Sequence, residues 1–418
     1  MKKIVLSLTL PFVIYAQSLP ELFDALKVHS QTKSDELIVQ KSKIQQDMAD
    51  ANLYPKIDLF ANYDNYSSPT NMRPYPPNEA QTNPTQPFSY NIYKAGASFT
   101  MPLFVKSIFT TASKAEAMRK SAEAKKEINL LKNEAVIVGA NANYTYLDSL
   151  LKALDLKEKS LQESKKTTQM KVDNGRATEA QLYLINDALN QIAITKNDIG
   201  LQIKSIISTI EILTGVVLQA PIVMEQKSSF TKGEIKALDP LKEKLQADMI
   251  GVKVEKEKLY PALYAHGSYA FMTGEAYNNG EDANEEYGNI GVMLNIPLLA
   301  MDNYASIRLA RVEAQSSRTE LEKLTDELSS EAQKLEASLP LLDNSLTLHK
   351  QSIQNKQRLL EIAKVNYNIG RLSTEEYLRY EDDVVSNKAE LYKTEAIKWQ
   401  TLVQLGVIYG NNIEELIK

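Results

Sequence analysis

The sequence contains no cysteine, which excludes disulfides, thiolate metal sites and a lipid anchor on a processed N-terminal cysteine. Its three histidines, His29, His266 and His349, lie far apart in the chain. No HExxH, Walker-type phosphate loop or GxSxG elbow is present, so none of these constellations for hydrolysis or nucleotide chemistry is available. The eleven methionines do not cluster as soft-metal ligands would. This inventory calls for no enzyme activity, no metal and no cofactor. Basic charge is not in excess either: the formal charge of −5 falls to −7 if Lys2 and Lys3 are removed with the leading segment. That balance argues against nucleic acid as a partner, which needs a basic footprint. Beyond the leading segment no run of about 18 apolar residues occurs, so no membrane-spanning helix is expected.

What is present starts at the N-terminus. Lys2 and Lys3 precede an apolar stretch from Ile4 to Ala16, interrupted by Ser7, Thr9 and Pro11. A charged beginning, a short apolar segment and a small residue before Gln17 read as a signal peptide over residues 1–16. The alternative is a buried N-terminal helix. The stretch is too short to span a bilayer as a helix.

The rest of the chain is one unit written twice. Gly175-Arg176 recurs as Gly370-Arg371, an offset of 195 from position 175 to position 370. The same offset carries Gly96 onto Gly291, Pro102-Leu103 onto Pro297-Leu298, and Gly215 onto Gly410. Upstream, Leu53-Tyr54-Pro55 recurs as Leu259-Tyr260-Pro261. Single glycine or proline matches arise by chance, but several landmarks in one register mark a repeat. The first repeat is assigned to 17–215, an equatorial linker and helix to 216–258, and the second repeat to 259–418.

Each repeat reads as helix, strand, loop, strand, very long helix, tight turn, long helix. The strands are expected near 55–63, 92–101, 261–271 and 288–296. Ile57, Leu59, Ala61 and Tyr63 alternate with Lys56, Asp58, Phe60 and Asn62. Ile290, Val292, Leu294 and Ile296 alternate with Asn289, Gly291, Met293 and Asn295. A period of two places these sets on opposite sheet faces. Segments of about ten residues with one apolar and one polar or small face suit a membrane barrel, and also an ordinary half-buried sheet. The connecting stretches, 64–89 with its six prolines from Pro69 to Pro87 and 274–286 with its acidic residues, read as solvated loops.

Between Ser107 and Val172 there is no proline and one interior glycine, Gly139. An uninterrupted helix there would reach roughly 100 Å at about 1.5 Å per residue. In the second repeat Leu328, Leu335, Leu342, Leu346, Ile353, Leu360 and Tyr367 recur at coiled-coil spacing. His349 falls seven residues after Leu342 and reads as an interface residue, not a ligand. Pro340 is expected to kink its helix by removing a backbone donor. The turns near 173–178 and 368–374 carry Gly175 and Gly370, which suit a left-handed helix end. Thr178 and Ser373 then offer N-caps to the returning helices.

Four amphipathic strands cannot close a membrane barrel, which needs at least about eight. Cyclic association of copies would close it. The ordered set of Leu53-Tyr54-Pro55, Pro102-Leu103, Gly175, Leu213-Thr214-Gly215, Leu259-Tyr260-Pro261, Pro297-Leu298, Gly370 and Gly410 resembles the TolC-like outer-membrane efflux protein family across essentially the whole mature chain.

The resemblance implies a mixed α and β membrane protein: a homotrimeric duct with a 12-stranded β-barrel in outer-membrane lipid and a coiled-coil helical barrel in the periplasm of a Gram-negative cell. An equatorial belt would draw on residues 17–52, 216–258 and the C-terminus. Such a duct is the passive exit of a tripartite efflux or type I secretion system, working with a periplasmic adaptor and an inner-membrane pump or ABC exporter. The adaptor-contact positions that match are Gly175, Arg176, Gly370 and Arg371. The family's periplasmic aperture uses paired acidic residues after the second tip. Alignment on Gly370 puts Glu376 at the first and Arg379 at the second. With Asp383 at i+7, salt bridges among the three are possible in place of an acidic ring, and Glu381-Asp382-Asp383 also fits a solvated helix face. The rival readings are a periplasmic adaptor and a structural coiled coil of the envelope.

Overall fold

The computed structural model describes residues 18–417; the expected signal peptide lies outside them. The chain begins with helices α1 (Leu19–Val28) and α2 (Ser30–Ala51). Strand β1 (Lys56–Asn71), a short helix α3 (Glu79–Thr82) and strand β2 (Phe88–Phe104) follow. Then come α4 (Lys106–Asp173), α5 (Glu179–Thr214) and α6 (Asp239–Glu257), with a 3-10 turn at Lys236–Leu238. The second half runs β3 (Ala262–Glu275), β4 (Asp282–Asn295), α7 (Met301–Asn368), α8 (Thr374–Tyr409) and α9 (Ile413–Leu416). α4 and α7 are each 68 residues long, and α5 and α8 each 36. Equal lengths in both halves are what a duplication in register produces. Among the described residues no helix is long and apolar enough to cross a membrane.

Contacts divide the chain into two units. Among the described residues one comprises 18–38, 123–239 and 322–417; the other comprises Val39–Ala122 and Pro240–Leu321.

The second unit holds a four-stranded antiparallel sheet in the order β1-β2-β3-β4. Its strands run further than the alternating segments suggest, because polar residues of the assumed loops continue the ladders. Glu285 and Glu286 pair with Met272 and Phe271, and Thr70 pairs with Ser89. Pro69 falls in the interval where the β1–β2 register shifts between Asn65 and Thr70, a place where a missing N–H is tolerated. Pro102 lies inside β2, not at its end. The β1 ladder stops at Lys56 opposite Thr100, so Pro102 has a paired neighbour only on the β3 side.

The connecting stretches also depart from a solvated reading. Met72, Ile92, Met272, Ala276 and Ala283 form a small buried cluster. Asn278 Nδ2 donates to the Pro84 carbonyl at 2.8 Å, the Gln86 N–H donates to Asn278 Oδ1 at 3.0 Å, and the Thr85 hydroxyl donates to Glu281 at 2.9 Å. Asparagine side chains stand in for backbone groups here, which is how a proline-rich segment with few free N–H groups stays ordered.

In the helical unit the main core joins α1 (Leu19, Leu22, Phe23, Leu26) to Ile137, Val138 and Tyr144 of α4. Ile210, Val216, Leu218, Val403, Ile413 and Leu416 complete it. The linker after α5 is held to the end of the chain by a bridge between Gln226 and Ile417 and by the Lys227 N–H on the Leu416 carbonyl at 2.9 Å. A second core repeats every seven residues: Leu147, Leu154 and Leu161 of α4 against Ile185, Ile192 and Ile199 of α5. This is the seam of an antiparallel coiled coil. α7 runs on through Pro340.

Glu134 of α4 sits in this unit at 3 % exposure, with Oε2 lacking any hydrogen-bond partner. Burial, reinforced by Glu414 and partly offset by Lys27, pushes its pKa up to about 7. A carboxyl whose pKa is higher folded than unfolded holds its proton more tightly in the native state. Its ionisation therefore weakens the fold as pH rises from about 4.5 to about 7. Glu134→Gln should remove this slope and stabilise the protein by on the order of 1–3 kcal/mol above about pH 7, with little effect near pH 5. Denaturant unfolding across that range checks it, and an equal effect at both ends contradicts it.

Candidate functional site

Two surfaces carry features beyond packing: the sheet and the hairpin tips. Antiparallel register places Ile57, Leu59, Ala61 and Tyr63 level with Phe99, Ala97, Ala95 and Tyr93. The same rows continue through Gly267, Tyr269 and Phe271 to Ile290, Gly288 and Glu286. One face is thus apolar across all four strands, and it lies open: Leu59 is 86 % exposed, Ile290 82 % and Ile57 70 %. Tyr63 packs on Tyr93 at 4.7 Å, and Tyr269 meets Phe271 edge-on at 5.3 Å. The Tyr269 hydroxyl donates to Glu286 at 2.5 Å, which marks where the apolar rows end.

The opposite face carries Lys56, Asp58 and Asn62 beside Thr100, Ser98 and Lys94, then His266 and Ser268, then Gly291 and Asn289. The Ser268 hydroxyl donates to Asn289 Oδ1 at 2.6 Å. The His266 ring lies over Gly291, where a Cβ would come within 3.1 Å of it. The first face is an oil-compatible surface and the second a water-compatible one, with β1 and β4 as open edges.

At the tips, α4 and α7 end in the same hydrogen-bonded turn. Gly175 and Gly370 have φ of 68° and 77°. The Arg176 N–H reaches the Lys171 carbonyl at 2.7 Å and the Gly175 N–H the Val172 carbonyl at 2.9 Å. Arg371 and Gly370 repeat this on Asn366 and Tyr367 at 2.9 and 3.1 Å. These paired bonds close the last turn and need a left-handed residue. A Cβ at either glycine would meet nothing within 4 Å, so backbone conformation alone demands glycine there. Gly175, Arg176, Gly370 and Arg371 are all exposed.

The returning helices start differently. Thr178 makes no side-chain cap on α5. Ser373 makes a full capping box on α8: its hydroxyl accepts the Glu376 N–H at 3.2 Å, and its own N–H donates to the Glu376 carboxylate at 3.0 Å. Bonds from Ser373, with a smaller contribution from Arg379, hold the Glu376 carboxyl below its usual pKa. Arg379 is exposed. Asp383 pairs with Lys356 of α7 at 3.2 Å, so its ion pair crosses to another helix instead of linking Glu376, Arg379 and Asp383 on α8.

Beneath these residues is a polar network that sequence reasoning missed. Tyr377 is 1 % exposed, and its ring stacks on Tyr367 at 4.7 Å. Its hydroxyl donates to Glu381 at 2.5 Å, and the Ser160 hydroxyl of α4 donates to the same oxygen at 2.6 Å. Thr168 of α4 bonds the Tyr367 hydroxyl at 2.8 Å, and Lys171 lies over the Tyr367 ring at 5.2 Å. Lys157 of α4 forms an ion pair with Asp382. Within the run Glu381-Asp382-Asp383 only Glu381 leaves the solvated face and is buried; Asp382 and Asp383 stay largely exposed while pairing with lysines of different helices. The available signal was Tyr377 and Glu381 at i and i+4, which share a helix face.

Burial and the neighbouring Glu381 raise the Tyr377 pKa, so the phenol stays protonated as a donor. Tyr377→Phe removes one donor from a buried carboxylate and should destabilise the α4–α8 contact by about 1–3 kcal/mol. Hydrogen exchange at the start of α8 should quicken while the sheet is unchanged; unaltered exchange would show the bond to be dispensable.

No family model matches the chain, and no curated protein matches it in sequence. Solved structures do. The CmeC outer membrane channel of Campylobacter jejuni superposes with a TM-score of 0.78 at 19 % identity, over 94 % of this chain and 85 % of that one. The outer membrane protein VceC of Vibrio cholerae gives 0.78 at 15 % identity, over 94 % and 96 %. The open state of the MtrE outer membrane channel of Neisseria gonorrhoeae gives 0.75 at 13 % identity, over 96 % and 90 %. At these identities the likeness establishes architecture, and the architecture is that of the TolC-like outer-membrane channels.

Proposed function

We propose that this protein is an outer-membrane channel of a Gram-negative cell, the passive exit of a tripartite efflux or type I secretion system. The observation that carries this reading is the sheet. A single layer with one apolar face, one polar face and two open edges has no stable place in water. Three copies pairing β4 of one with β1 of the next would make a closed 12-stranded barrel, apolar towards lipid and wet inside. The helical unit would then lie in the periplasm. The channel fold of the similar solved structures supports the same reading.

Within it, the exposed tips at Gly175, Arg176, Gly370 and Arg371 are the surface offered to a periplasmic adaptor, which in turn engages an inner-membrane pump or ABC exporter. The start of α8, with Glu376, Arg379 and Asp383, is the aperture region. Its acidic members are engaged as a helix cap and an interhelical ion pair, so Arg379 is the charge free to face the lumen. The channel itself performs no chemistry and draws no energy of its own.

Light scattering of the mature protein extracted from membranes should give a trimer mass in detergent; a monomer soluble without detergent would end the barrel reading. Gly370→Glu should abolish export while trimers persist, and normal export would remove the tip from adaptor contact. Arg379→Ala should alter single-channel conductance, with Glu376→Gln as a control for the cap.

A further inference from the structure

The polar face of the sheet is open along most of its length, but its own chain covers it at the hairpin-loop end. In β3 the covered side is unambiguous: Ala270, Met272 and Gly274 are buried while Tyr269, Phe271 and Thr273 are exposed. Met72 packs against Ile92 and Met272 on that side. Arg73 follows. Its Nε donates to Glu285 at 2.5 Å and its Nη2 to Glu79 at 2.7 Å, and its guanidinium lies 5.7 Å from the centre of the Tyr75 ring. Glu285 stands level with Met272 and Lys94, so it belongs to the same polar face. Arg73 and Glu285 retain only 20 % and 15 % side-chain exposure. The far part of the segment is fastened to the other strand connection through Pro84, Thr85 and Gln86.

We propose that residues 72–87 fold into the lumen as a constriction at the hairpin-loop mouth, clamped by Arg73 between Glu79 and Glu285, and that this segment limits the size of solute passing that mouth. The proposal rests on the channel reading, which makes the polar face a lumen. A loop that merely capped the sheet edge would project along the strand axis. This one turns back over the face that must stay wet, and a guanidinium bridging two carboxylates through charge-assisted bonds fixes it there. Three copies around the axis would place three such segments in one ring.

The absence of native cysteine makes the test clean. Asp58→Cys introduces a thiol on the polar face, two rows below Asn62 and Lys94. Intact cells would be treated from outside with a small charged methanethiosulfonate and with a bulky polyethylene-glycol maleimide. In the parent the small reagent should react readily and the bulky one slowly. Arg73→Ala should accelerate the bulky reagent about tenfold or more with little change in the small one. Arg73→Glu should do the same, and Arg73→Glu combined with Glu285→Arg should slow it again. Replacing 74–86 by a short glycine-serine linker should abolish the difference between reagents. Equal rates in the parent, or a bulky rate unmoved by both Arg73→Ala and the shortened loop, would overturn the constriction and leave the channel reading intact. Failure of even the small reagent in every background would show that the face is not a water-filled lumen, and both would fall.

Discussion

A strand at the margin of a sheet carries a row of backbone N–H and C=O groups that must find partners. Here that requirement falls on β1 and β4 at once, and it coincides with an apolar surface that no part of the same unit covers. Burying one apolar side chain of the size of Leu59 or Ile290 is worth roughly 1.5–3 kcal/mol, so a face of such residues is a strong demand for an oily environment. In hydrocarbon the open edges become intolerable, because no water is there to satisfy them. Under the proposed channel reading, closure with further copies would answer both demands. The glycines and alanines between the aromatic residues, such as Gly96 beside Ala270 and Gly267 under Phe99, let the strands approach closely.

The helices meet a different constraint. Of the two hairpins of equal length, the first is held within itself by a heptad seam of leucine and isoleucine, and the second by separate clusters around Leu335 with Leu405 and Tyr367 with Tyr377. Between hairpins apolar contacts such as Val403 with Ile137 are joined near the tips by hydroxyls, tyrosines, a buried glutamate and one lysine–aspartate pair linking α4 to α7 and α8. Apolar packing slides and tolerates change, whereas a buried carboxylate with two hydroxyl donors has one good geometry. Such a joint fixes register and can still be broken locally, since replacing its bonds by bonds to water costs little once water enters. Polar joints thus lie near the tips, and the leucine–isoleucine seam runs along the shaft of the first hairpin.

Local signals in the chain were reliable where the physics is local. Absence of proline from Ser107 to Val172 meant one helix, and Gly175 and Gly370 meant left-handed helix ends. The capping box at Ser373 was equally legible, since a serine followed three residues later by glutamate is a local pattern. The alternation around Leu59 and Ile290 identified strands but cut them short, ending β1 too early and starting β4 too late. Ladders continued through residues such as Glu285 whose polarity suggested loop. A partner strand can hold a polar residue in extended conformation without help from its side chain.

The order of elements, the paired helix lengths and the two-faced strands could therefore be read without coordinates, because each follows from spacing along the chain. Which residues meet across it could not. Glu381 looked like a surface acid and is buried with Tyr377 and Ser160; Arg73 looked like a loop residue and clamps Glu79 to Glu285; Asp383 finds Lys356 on another helix. Ser160 and Glu381, Arg73 and Glu285, and Lys356 and Asp383 lie tens to hundreds of positions apart, and the free energy of a buried polar contact depends on the low dielectric around it and on the geometry of both members. Periodicity reports which way a side chain faces, while only the folded chain determines what it faces.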